Sequence, residues 1–133
     1  LRLRRGMAGA LLACIATPAW AWQPLLDVDA LTPGERASAH RLIERGTQHL
    51  PAAMAEHLPA LTLSFDGDLP EAVHGRIRGQ RIRLARHLLH GDDEAPAIHA
   101  LLHELAHAYD HAQRNILSAD PRLRDLAGWQ RSV

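Results

Sequence analysis

The stretch from Val73 to Arg114 constrains this chain most, because its hydrophobic period changes once and cleanly within it. Arg76-Ile77-Arg78 and Arg81-Ile82-Arg83-Leu84 alternate with period two on either side of Gly79-Gln80. Such alternation predicts a half-buried antiparallel hairpin with isoleucine inward and arginine outward. A glycine at the first central position suits a type II′ turn. Ile98, Leu101, Leu102, Leu105 and Tyr109 then recur at helical spacing. They predict one long helix from about Ala95 to Arg114, with Gly91-Asp92-Asp93-Glu94 supplying caps and first-turn acids. With the helices and strand that precede them, a hairpin followed by a long helix gives an α+β layout.

The preceding chain supplies shorter elements. Thr32-Pro33-Gly34-Glu35 reads as a helix start, with Thr as N-cap, Pro at N1 and Glu at N3 completing a capping box. Ala39, Leu42 and Ile43 continue that helix, which ends between Gly46 and Leu50. Pro51 opens a second short helix through His57, closed by Pro59. Leu61-Thr62-Leu63-Ser64-Phe65 reads as a strand, and Asp66-Gly67-Asp68 as the turn after it. Asp120-Pro121 predicts a last short helix through Leu126. The layout is N-terminal helices, a small antiparallel sheet or hairpin, and a long helix.

Residues 1–21 read as a signal peptide rather than as part of the fold. Arg2, Arg4 and Arg5 precede an apolar run from Met7 to Ala16, and Ala19-Trp20-Ala21 offers an A-x-A cleavage site. The run is too short for a bilayer span, which needs about 20 residues. The other readings are a buried N-terminal helix and a lipoprotein signal at Leu11-Leu12-Ala13-Cys14. Cleavage near Ala21 implies a periplasmic or secreted domain over residues 22–133, with no membrane span. Cys14 leaves with the leader, so that domain has no thiol and must rest on its core, a metal or further chain.

Charge narrows the partners. The chain carries 15 basic and 15 acidic residues, and losing Arg2, Arg4 and Arg5 leaves a net charge of −3. That balance argues against a nucleic-acid binder. The hairpin arginines read as the solvated face of an edge strand, where charge discourages aggregation, since no aromatics interleave with them as a nucleic-acid platform requires.

The long helix carries His103-Glu104-Leu105-Ala106-His107. Residues four apart share a helix face with Cβ atoms about 5–6 Å apart, so both imidazoles can reach one Zn²⁺ at about 2.0–2.1 Å. Glu104 lies about 100° round the helix, where it can act as general base toward a water polarised by the metal. Chance is a competing source of the motif in a chain with ten histidines; its place in a capped, apolar-striped helix favours a metal site over solvated helix histidines. His99, His103, His107 and His111 form one stripe, but His103 and His111 lie about 12 Å apart along a straight axis and cannot share an ion. His99 and His111 are therefore flanking polar residues or contacts to the ligands. Asp110 has two equal readings, a carboxylate that fixes a ligand imidazole's tautomer and a surface acid.

From Leu102-His103-Glu104-Leu105-Ala106-His107-Ala108-Tyr109-Asp110, through Ser118-Ala119-Asp120-Pro121-Arg122-Leu123, to Leu126-Ala127-Gly128-Trp129, the sequence resembles the zincin (HExxH) metallopeptidases. The likeness is to gluzincin-like exported bacterial proteins of uncharacterised function. The hairpin is similar to the zincin edge-strand region that binds extended substrate by strand addition. The resemblance implies a zincin-like fold, one Zn²⁺ per chain on His103 and His107, and Glu104 as general base in hydrolysing peptide bonds of an envelope peptide or protein. It also implies a third ligand, a Glu on a later helix, and here the chain departs from the pattern: no Glu follows His107. Asp120 and Asp125 are the alternative ligands in an aspzincin-like arrangement. The preferred expectation is that the chain is an N-terminal piece whose ligand-bearing helix lies beyond Val133. The alternatives to a peptidase are a catalytically inactive zincin-like domain that binds an envelope partner, and a metal-buffering protein using its histidines.

Overall fold

The computed structural model describes residues 22–70 and 72–113, together with Pro121. The expected leader with Cys14 and Ala21, and the expected last helix with Asp120 and Asp125 (its Pro121 apart), lie outside the described residues. The elements are β1 (Leu25–Asp27), α1 (Pro33–Thr47), α2 (Ala52–Glu56), β2 (Thr62–Asp66), β3 (Gly75–Arg78), β4 (Arg81–Ala85), a 3₁₀ turn (Arg86–Leu89) and α3 (Ala95–Ala112). Helices cover one sheet, as the α+β class requires.

The sheet corrects one expectation. It is mixed rather than antiparallel, with strand order β1-β2-β4-β3. β1 pairs parallel to β2 (Leu26 opposite Leu63) and β2 parallel to β4 (Leu63 opposite Ile82). Only the β3–β4 hairpin is antiparallel, closing on Gly79, which takes φ +59° as its place in the turn demands. The reason is topological. Helices α1 and α2 lie between β1 and β2 and carry the chain back to the same end of the sheet, so these two strands run in one direction, and β3, running back, sets β4 parallel to β2.

Alternation sorts the sheet's faces. Leu63, Ile82 and Leu84 are fully buried beneath α3, where they meet Leu101 and Leu105. Helix α3 also corrects an expectation. Its core side is lined by Ala97, Ala100, Leu101, Leu105 and Ala108, whereas Ile98, Leu102 and Tyr109 are only half-buried. Alanines on that side let the helix approach the sheet and α1 closely. At the α1 crossing, a Cβ added to Gly46 would lie 2.8 Å from Leu101 Cδ2.

The start of α3 also differs from its expected capping. Glu94 is the N-cap residue but makes no side-chain cap. Asp93 accepts from the Ala95 N–H at 3.0 Å instead. Glu94 is drawn to α1, pairing with Arg45 at 2.5 Å and Arg41 at 3.7 Å.

The capping box of α1 forms in full. Glu35 N donates to Thr32 Oγ1 at 3.2 Å and Thr32 N donates to Glu35 Oε1 at 2.9 Å. The same carboxylate, only 4 % exposed, receives a bidentate pair from Arg86 (Nε 2.8 Å, Nη2 2.7 Å) and lies 2.9 Å from His90 Nε2. The Arg86 guanidinium, followed by the Thr32 N–H, holds the Glu35 carboxyl well below the usual carboxylate range. Folding thus favours the ionised form, so this clasp contributes fully at pH values above the unfolded carboxyl's 4.5 and fades as pH falls below it. A melting-temperature series from pH 7 to pH 3 is expected to fall more steeply for the native chain than for Glu35→Gln. Parallel curves would assign the acid sensitivity elsewhere.

Candidate metal centre

Helix α3 presents His103 and His107 from successive turns on its half-buried side. Their Nε2 atoms converge to 3.1 Å, with ring centroids 4.7 Å apart and planes at 78°. One neutral N–H can bridge the two nitrogens at this distance. A tetrahedral ion holding both at about 2.0–2.1 Å would separate them by about 3.3 Å, so the pair also fits two corners of such a site with little movement. Burial lowers both pKa values, reinforced at His103 by His99 and at His107 by His103. The neutral imidazoles so favoured are the ligating form.

The flanking residues separate by exposure. His99 and His111 are exposed, and His99 stands 6.4 Å from His103 between ring centroids in a tilted arrangement. Asp110 is 3 % exposed and close enough to raise the His107 pKa by its charge. Of the two readings of Asp110, the surface acid is excluded by that burial. A buried carboxylate facing a ligand-type imidazole is the arrangement that orients such rings in metal sites.

Glu104 lies on the core side, 7 % exposed, with its pKa pushed up to about 7 by burial. Its neighbour there is a residue the sequence reading passed over. Gly75, the first residue of β3, packs against it so closely that an added Cβ would lie 3.2 Å from Glu104 Cγ, 2.7 Å from Leu84 Cδ2 and 3.4 Å from the Arg83 carbonyl oxygen. A glycine inside a strand marks such close approach, but nothing local says which residue approaches. Gly75→Ala is expected to cost about 1–3 kcal/mol through overpacking and to displace the Glu104 side chain. A melting temperature equal to that of the native protein would show that the contact relaxes freely.

Among the described residues, no group of three or more His, Cys, Asp or Glu side chains comes together as a metal cage. The structure brings His103 and His107 together and sets Asp110 within electrostatic reach of His107, whereas Glu104 lies on the core side of the helix against Gly75; Asp120 and Asp125 lie outside the described residues. No described helix is long and apolar enough to cross a membrane. Scans against protein-family models, curated proteins and solved structures find nothing that matches this chain.

Proposed function

We propose that this chain carries the zinc-binding helix of a zincin-like metallopeptidase of the bacterial envelope, with His103 and His107 as ligands of one Zn²⁺ and Glu104 as general base. The observation that carries the reading is the convergence of two imidazoles whose burial favours the neutral form, Nε2 to Nε2 at 3.1 Å; Glu104, next to His103 in the same helix, is buried with its pKa pushed up to about 7. Bound there, zinc would supply Lewis-acid polarisation of a substrate carbonyl and a water more acidic than bulk. Glu104 would accept a proton at a carboxylate oxygen and release it to the leaving amine, a task suited to a base poised near neutral pH. Asp110 would hold the His107 ring in its ligating orientation.

A third protein ligand, usual in catalytic zinc sites, would come from outside the described residues, where Asp120 and Asp125 are acids of the right kind. Because two imidazoles alone complete no cage, a second reading is a zincin-like domain that binds an envelope partner without turnover. Metal analysis of the full chain tests the first reading. About one zinc per chain is expected, lost in His103→Ala and in His107→Ala. A zinc-free native protein, purified without chelator and offered zinc, sinks the peptidase reading and leaves the partner-binding one.

A further inference from the structure

We propose that Arg76 and Arg78 make the free edge of β3 a docking strip for an extended peptide segment carrying acidic side chains two residues apart. The inference deepens the peptidase reading, on which its catalytic meaning rests, by naming the chemical class of the substrate.

Strand β3 ends the sheet, with no strand beyond it among the described residues. Its hydrogen-bonding phase follows from the hairpin register. Ala85 N donates to His74 O at 2.8 Å, which makes Gly75 and Leu84 a non-hydrogen-bonded pair and turns Arg76 and Arg78 toward β4. The N–H and C=O groups of Gly75 and Ile77 therefore point away from the sheet, free to pair with an added strand. Gly75 is also the residue packed on Glu104. A segment paired to it would run one strand spacing away, about 4.8 Å, which brings its backbone beside the proposed base.

The side chains supply the selection. Ile77 packs into the core, so Arg76 and Arg78 stand exposed on the opposite face of the sheet. There Arg76 faces Arg83 and Arg78 faces Arg81 across the hairpin. Like charges directly opposite destabilise a sheet. The inner arginine of each pair is neutralised within the fold: Arg81 bonds Asp27 of β1 at 3.2 Å, and Arg83 bonds Asp66 of β2. No ion pair is made by Arg76 or Arg78 among the described residues, and no acid lies on the strand that carries them. Two uncompensated guanidinium groups, spaced two residues apart beside a free backbone edge, match carboxylates at positions i and i+2 of an added strand. Discouraging aggregation needs charge of either sign, whereas Arg76 and Arg78 present two like charges on one face of the free edge, which carboxylates of an added strand would offset.

The test uses the full chain with Glu104→Gln, loaded with zinc, and two fluorescent octapeptides of identical composition. One has Glu at alternating positions i and i+2; the other has Glu at i and i+3, which places the carboxylates on opposite faces of a strand. Anisotropy titration is expected to show the alternating peptide binding several-fold more tightly, on the order of 2- to 30-fold for two exposed ion pairs. Arg76→Gln with Arg78→Gln should level the two affinities, Arg76→Lys with Arg78→Lys should restore part of the difference, and added salt should shrink it. Equal affinity of both peptides for the parent chain overturns the proposal, as does a preference that survives the double Gln variant. Tighter binding of a single-stranded oligonucleotide than of either peptide also overturns it, in favour of a nucleic-acid partner. Zinc content of the same samples is the independent readout. A preference without zinc binding keeps the acidic strip and removes the peptidase, whereas zinc binding without a preference does the reverse.

Discussion

Glu104→Gln is expected to retain about one zinc per chain while lowering turnover of a peptide substrate by about 10²–10⁴-fold, the usual contribution of a general base. The amide fits the space of the carboxylate and leaves both imidazoles in place, so metal content and catalysis should part company. Stability should move the other way. Burial raises the Glu104 pKa from 4.5 to about 7, which means that the folded chain holds this group as the neutral acid more strongly than the unfolded chain does. Its ionisation therefore lowers stability progressively as pH rises from about 4.5 through 7. In metal-free protein at pH 8, Glu104→Gln should melt higher than the native chain, and the difference should narrow at pH 5. A stabilising substitution that abolishes turnover is the signature of a residue kept for chemistry. Turnover retained in Glu104→Gln, with zinc bound, would instead remove Glu104 from the reaction.

Leu101→Ala should produce the largest loss of stability of any single core truncation considered. Leu101 is fully buried in the crossing of α3 over α1 and belongs to the same cluster as Leu42, Leu63, Leu84 and Leu105. Removing its isobutyl group costs about 2–5 kcal/mol as transfer plus cavity. For a domain of this size that is a fall of roughly 10–30 °C in melting temperature. The partner residue gives the prediction a second arm. Gly46→Ala alone should destabilise, because its Cβ would meet Leu101 Cδ2 at 2.8 Å. In the Leu101→Ala background the same methyl enters vacated space and adds helix propensity of about 1 kcal/mol. The sign of Gly46→Ala should reverse between the two backgrounds. Additive losses in a thermal or urea series would show that the two side chains do not share that volume.

The parts of the fold legible in the sequence are those written locally. Thr32 to Glu35 encodes its cap within four residues, the hairpin its turn and alternation, and α3 its extent and its central Leu101 and Leu105, though not the alanines beside them. What escaped is written across distance. Strand β1 is three residues, Leu25-Leu26-Asp27, too short to show a period, and its partner Thr62–Ser64 lies beyond two helices. The parallel pairing that follows could not be inferred from a sequence in which only β2, β3 and β4 are visible as strands. The 3₁₀ turn Arg86–Leu89 carries no signal of its own, and the clasp that joins it to Glu35 spans 51 residues. At the candidate site, the convergence of His103 and His107 was legible because helix geometry fixes their spacing. Gly75 was not, since its contact with Glu104 depends on how sheet and helix meet. Nor was the compensation of Arg81 and Arg83 by Asp27 and Asp66, which leaves Arg76 and Arg78 distinct from arginines of the same apparent pattern.

Helix α1 holds the connection between β4 and α3 at both of its ends. Glu35, in the first turn of α1, grips Arg86 and His90, and Arg45, in the last turn, grips Glu94. Those two anchors sit about 15 Å apart along the helix axis, so α1 acts as a spacer that sets both where the chain leaves the sheet and where the next helix begins. The link between them consequently has little freedom to shorten. One residue deleted from positions 87–93 would be absorbed either by breaking an anchor or by turning α3 about 100° on its axis. The second outcome would swing His103 and His107 off their present face while leaving every residue of the motif intact. Chains related to this one should therefore vary in length at the Asp66–Pro70 turn well before they shorten between β4 and α3.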